Sequence, residues 1–181
     1  MRFRSSQSGY TMIQTIAFIA ILALVGSSAV SVLSKALSRY KVSRLTQQVV
    51  ELQRAIDRKY VAKREYTGLT LAVLHSGNLL PSDMNYSNGV LYHKLGGTVT
   101  VAPNGELYTI TFNNVPKYAC MELAEQNWGL DPRIVLDSMK VGNNNLKWRC
   151  SGGNCYTMPL SVSDANTVCA AGNNNISWTF Y

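Results

Sequence analysis

Charge is scarce in this chain: Lys, Arg, Asp and Glu make up 15% of its 181 residues, against roughly 25% in an average soluble protein. Something other than charge therefore covers part of its surface. Histidine is scarcer still, with only His75 and His93. No Ser-His-Asp, Cys-His or paired-carboxylate arrangement stands in a usable register, so no enzyme activity and no cofactor is indicated, and the two histidines read as ordinary surface or loop residues. The four cysteines, Cys120, Cys150, Cys155 and Cys169, lack the C-x₂-C spacing of a zinc site. An even number confined to the last third suits disulfides in an oxidising compartment, and four cysteines allow three pairings.

Acidic residues are outnumbered ten to seventeen, which leaves a net charge of +7. A nucleic-acid binder is one reading of that excess. However, the basic residues crowd between Lys35 and Arg64, where Glu51 and Asp57 interrupt them. That pattern suits the solvated flank of a helix, and no nucleic-acid-binding motif accompanies it, so no nucleic-acid partner is expected.

An ordinary secretory signal is missing too. Such a signal places a short apolar stretch before its small-residue cleavage site. Here the polar segment Met1 to Gly9, with Arg2 and Arg4 and no acidic residue, comes first, and the apolar stretch follows it. From Met12 to Val32 no residue is charged, and about 20 helical residues cross a hydrocarbon core of roughly 30 Å. This run is expected to span a membrane and to stay with the mature chain.

No Gly or Pro interrupts the passage from that run into an amphipathic one. Leu45, Val49, Leu52, Ile56 and Tyr60 recur at intervals of 4, 3, 4 and 4, the period of a helix with one apolar stripe. A coiled coil would sustain its heptads over three or four repeats, and this stripe lasts about two. It is expected to pack on the chain's own head, within a helix running from about Tyr10 to Arg64.

Gly68 to Asn88 reads as a mobile or loosely structured connection with a short helix near Leu69 to His75. A β-rich head follows. Thr98 to Ala102 and Glu106 to Phe112 form the arms of an expected hairpin around Pro103-Asn104-Gly105, and Pro116 to Asn127 reads as a helix carrying Cys120. The run Gly142 to Trp148 is echoed by Gly172 to Trp178. Two similar turns are expected, feeding strands at Leu146 to Cys150 and Ile176 to Tyr181.

Ser8-Gly9-Tyr10-Thr11-Met12-Ile13-Gln14, with the apolar run directly behind it, resembles the cleavage site of type IV prepilins. Gly77 to Met84, Gly96 to Val101, Pro116 to Cys120 and Ile176 to Tyr181 resemble, in order, segments of type IVb and conjugative thin-pilus pilins. The resemblance implies cleavage after Gly9, methylation of the new amino terminus at Tyr10, and an assembly role at Gln14, where the family usually has Glu. It also implies a disulfide between Cys120 and Cys169, leaving Cys150 and Cys155 as a local pair across Gly152-Gly153. A second departure is that Lys35, Arg39, Lys41 and Arg44 follow the span, against the positive-inside tendency.

The expected fold is α+β: a long amino-terminal helix packed on an antiparallel β-sheet head with disulfides. Residues 1–9 would be a leader, 10–34 the membrane or filament-core half of the helix, 35–66 its amphipathic half, and 67–181 the head. The function implied is that of a pilus subunit serving adhesion, aggregation or conjugative contact. Its implied partners are other copies of itself, the prepilin peptidase, inner-membrane assembly machinery and, before assembly, lipid. It would sit in the bacterial inner membrane with a periplasmic head, and later in an extracellular pilus. The alternatives are a minor pilin or secretion pseudopilin, and, from another class, a bitopic membrane sensor that keeps its first nine residues.

Overall fold

A computed structural model describes residues 12–22, 32–60, 62, 65–132, 134–150 and 152–181 in full, and the backbone of residues 11 and 23–31. The chain divides into two compact units between Tyr40 and Lys41. Helix α1, Thr11–Tyr60, is unbroken, as the absence of Gly and Pro in its amphipathic part leads one to expect. Among the described residues no helix is long and apolar enough to cross a membrane.

In the second unit the elements follow as α2 (Leu71–Ser76), β1 (Asn85–Ser87), β2 (Val90–Tyr92), β3 (Thr98–Asn104), β4 (Leu107–Pro116), α3 (Lys117–Glu125), β5 (Leu136–Val141), β6 (Asn144–Lys147), β7 (Cys155–Thr157), α4 (Val162–Val168) and β8 (Asn173–Phe180). All eight strands join one sheet in the order β1-β2-β3-β4-β8-β5-β6-β7. The sheet is antiparallel except at one end, where β7 runs parallel to β6. That departs from the expected all-antiparallel head. Parallel neighbours ordinarily need a crossover of a dozen or more residues; here the link is only residues 148–154, and Cys150 and Cys155 close it.

The inward side chains alternate along the strands, as a half-buried sheet requires. Tyr108, Ile110 and Phe112 of β4 and Ile176, Trp178 and Phe180 of β8 are almost wholly buried, in one cluster with Val42, Leu45, Val49, Leu52 and Ile56 of α1. The opposite face bears short hydroxyl side chains, among them Thr100, Thr111 and Ser177, which register places side by side on β3, β4 and β8.

Several expectations need correction. The connection from Gly68 to Asn88 is not loose: Thr70 caps α2 by accepting from the Val73 N–H at 3.2 Å, and Leu69, Leu74 and Met84 are buried in the core. Apolar anchors at that spacing tie the segment down despite its Gly and Pro. The hairpin turn falls at Gly105-Glu106, one residue later than read, with Gly105 at φ 65, the backbone that a first central glycine supplies in a two-residue turn.

The two echoed segments differ. Gly142, at φ 56, turns between β5 and β6, whereas Gly172 has no positive φ and β8 begins at the very next residue. Strand β6 ends at Lys147 because Trp148 turns away, its indole donating to the Leu136 carbonyl at 3.0 Å. Finally, His93 lies in the loop between β2 and β3, as expected of a loop residue, but at 3% exposed it is buried and not on the surface.

Candidate assembly surface

Two surfaces of the long helix behave in opposite ways. From Val42 to Tyr60 the apolar stripe is spent within the head: Leu45, Val49, Leu52 and Ile56 have no exposed area. Polar neighbours fix its position. Gln48 accepts from the Lys94 N–H at 3.2 Å, Thr46 donates to Gln126 at 2.8 Å, and the Tyr108 hydroxyl donates to Asp57 at 2.7 Å. Burial raises the Asp57 carboxyl above the usual range, against the opposing effect of the hydrogen bonds from Tyr108 and Gln53. The ion pairs Arg44–Asp83 at 3.0 Å and Arg54–Asp131 at 2.7 Å are partly exposed, and such pairs add about 0–1 kcal/mol each.

Nearer the amino terminus the apolar side chains have no such cover. Met12 is 76% exposed, Ile13 80%, and Ile16, Phe18 and Ile19 63% each. Ile21, Leu22, Val32, Leu33 and Leu37 are also exposed. A contiguous apolar surface of this kind marks an interaction or membrane site on a protein. Gln14 is exposed among these residues. Gly9 and Tyr10, the expected cleavage pair, lie outside the described residues.

The head is closed by two disulfides. Cys120, buried on α3, joins Cys169 at the end of α4 with Cα atoms 6.0 Å apart. Cys150 joins Cys155 with Cα atoms 5.6 Å apart, at a half-exposed position. Beside the first bridge sits Asn174, 6% exposed, whose role the sequence reading missed. Its amide oxygen accepts from the Ala170 N–H at 2.8 Å and its nitrogen donates to the carbonyls of Val115, Ala170 and Gly172 at 3.3 Å. One buried amide thus ties the loop after α4 to the end of β4. The only available signal was its place in the Asn run, which reads as a turn.

Gln48 and Gln53 of α1, which helical periodicity alone would put on the water-facing side, are buried polar residues too, and so is His93. Its Nε2 donates to the Asn113 carbonyl at 2.9 Å while Nδ1 accepts from the Leu95 N–H at 3.2 Å, which fixes a neutral tautomer. Burial lowers its pKa, outweighing the Asn113 hydrogen bond. Both partners are main-chain atoms and the ring is stacked on Phe112, so the arrangement is structural. Among the described residues no group of His, Cys, Asp and Glu could hold a metal ion.

A family model described as PilS N terminal matches residues 39–181. The major structural subunit of the bundle-forming pilus of Escherichia coli O111:H- is 23% identical over 169 residues, 90% of this chain and 88% of that protein. The NMR structure of the type IVb pilin PilS from Salmonella typhi is similar at 16% identity with a TM-score of 0.40, over 74% of this chain and 94% of that one.

Proposed function

This chain belongs to the PilS N-terminal family and is a type IV pilin, a structural subunit of the pilus, and from that premise we propose how it matures and assembles. The chain enters the inner membrane with residues 10–34 spanning the bilayer and its head in the periplasm. Prepilin peptidase cuts after Gly9 and methylates Tyr10. Assembly machinery then draws the subunit into a filament with other copies, residues 10–34 moving from lipid into the filament core. Residues 35–66 support the head formed by 67–181, which serves adhesion, aggregation or conjugative contact outside the cell.

The observation that carries this reading is the exposed apolar surface from Met12 to Leu22, within a sequence that holds no charged residue from Thr11 to Ser34. Burying each such side chain contributes about 1.5–3 kcal/mol, so several of them outweigh any single polar contact in the bundle. Lipid and neighbouring helices offer equivalent apolar cover, which lets one segment serve both stages. The +7 charge does not obstruct this, because long carboxyl-terminal domains translocate largely regardless of charge.

Mass spectrometry of subunits from purified filaments tests the reading. The expected mass lacks Met1 to Gly9 and carries one added methyl group. Subunits that retain Met1 to Gly9 would refute it.

A further inference from the structure

We propose that the stretch of α1 from Leu33 to Lys41 binds the phosphates of anionic phospholipids through Lys35, Arg39 and Lys41, on the side of the membrane where the head lies. The proposal rests on the membrane stage of the reading above and names the lipid class that the unassembled subunit selects.

No residue from Thr11 to Ser34 is charged, and Lys35 is the first cation after that run. As a helix the run rises about 36 Å, enough for a hydrocarbon core of roughly 30 Å with some tilt. Lys35 therefore stands where the headgroup layer begins. From Lys35 to Lys41 the helix rises about 9 Å, comparable with the roughly 5–8 Å of one headgroup layer, and the flexible stems of Lys and Arg adjust the depth of their charges.

Exposed apolar side chains are interleaved with these cations. Leu33 is 60% exposed, Leu37 51% and Tyr40 58%. A helix flank meant for water has no use for them, whereas leucines beside a tyrosine suit the boundary between acyl chains and headgroups. Among the described residues Lys35, Arg39 and Lys41 have no ion-pair partner, while Arg44, just beyond them, is held by Asp83 at 3.0 Å. No acidic residue precedes Glu51, so the same stretch of a second helix offers no counter-charge.

The three cations also point in different directions. At about 100° per residue, Arg39 lies roughly 40° around the helix from Lys35, and Lys41 roughly 120° from it the other way. A protein docking on one face meets one or two of them. A headgroup layer surrounds the helix and meets all three. Each basic residue near an anionic bilayer surface strengthens the attraction about fivefold, so three together favour an anionic over a zwitterionic lipid by up to about a hundredfold.

The test is lipid retention by the full chain in detergent micelles holding equal amounts of phosphatidylglycerol and phosphatidylcholine, with the bound lipid identified by mass spectrometry. The wild type should retain phosphatidylglycerol in excess, and Lys35→Gln/Arg39→Gln/Lys41→Gln should lose about tenfold or more of that preference. The charge-preserving Lys35→Arg/Arg39→Lys/Lys41→Arg should keep it. So should Lys94→Gln/Lys140→Gln/Lys147→Gln, which removes equal charge from the head, and inorganic phosphate should not displace the lipid. No preference in the wild type, an unchanged preference in the first glutamine variant, an equal loss in the head variant, or displacement by inorganic phosphate would each overturn the proposal. The assay needs neither leader cleavage nor filaments, so it can fail while the mass of filament subunits still supports the pilin reading. A wild type that retains neither lipid overturns the membrane stage along with the proposal.

Discussion

His93 and Asn113 stand 20 residues apart in sequence and meet through a 2.9 Å hydrogen bond from the imidazole Nε2 to the Asn113 carbonyl. The imidazole is stacked on Phe112, with ring centroids 5.1 Å apart and planes within 7°. Because burial lowers the folded pKa below 6.5, the unfolded chain takes up a proton before the folded head does. Stability should be fully present above about pH 6.5 and decline as pH falls below it, until the folded imidazole also titrates. Denaturant midpoints measured from pH 7.5 down to pH 5 should show that decline in the wild type and a flatter profile in His93→Gln. Identical profiles would mean that His93 does not contribute.

Gly97 lies against the same pair. A Cβ there would overlap the Asn113 carbonyl oxygen and His93 Nε2, both held by the sheet. Gly97→Ala should destabilise the head by about 1–3 kcal/mol or more. Gly153→Ala, where the added carbon meets nothing within 4 Å, should change stability by no more than about 0.5 kcal/mol. Equal unfolding midpoints for the two variants would contradict the packing described.

The two disulfides should differ in weight. Chain-entropy reasoning gives about 4 kcal/mol for the bridge spanning 49 residues and about 2 kcal/mol for the one spanning 5. Replacing Cys120 and Cys169 together by Ala should therefore lower the unfolding midpoint more than the same change at Cys150 and Cys155. A larger loss from the short bridge would show that strain or sheet disruption, not loop closure, dominates.

The resemblance to type IV prepilins puts Gln14 at a place where that family usually has Glu, and the proposed core would bring it near charged amino termini of neighbouring subunits. A neutral hydrogen bond contributes about 1 kcal/mol and a charge-assisted one roughly twice that. Gln14→Glu should raise filament yield at equal membrane level. If surface filament counts and subunit incorporation do not change, charge pairing plays no part in this assembly.

The legible parts of the fold were those with a strong period or a known turn. The stripe from Leu45 to Tyr60 read as helix because its spacing is helical, and the β3–β4 hairpin read from its Asn-Gly. Strand β5 was missed because a register shift between Leu136 and Ser138 breaks the alternation that would have marked it. Strands β1 and β2 are three residues each, too short to show a period. His93 and Asn174 were illegible for another reason: their long-range partners, the carbonyls of Asn113 and Val115, are brought close only by the fold, and no sequence spacing reports that. The exposed apolar surface near the amino terminus was plain from composition alone.

The strand order places β8 between β4 and β5, although every other strand precedes it in the chain. Sheet β1-β2-β3-β4 and sheet β5-β6-β7 can each pair locally as they emerge, but nothing joins them until Asn173–Phe180 arrives. A chain that emerges from its amino-terminal end therefore holds two unpaired inner edges, at β4 and β5, until its last strand arrives, and the long-range pairings that close the head form last and slowly. In a chain cut short anywhere before Asn173, β4 and β5 would each keep an unpaired edge, and unpaired strand edges invite pairing with other chains.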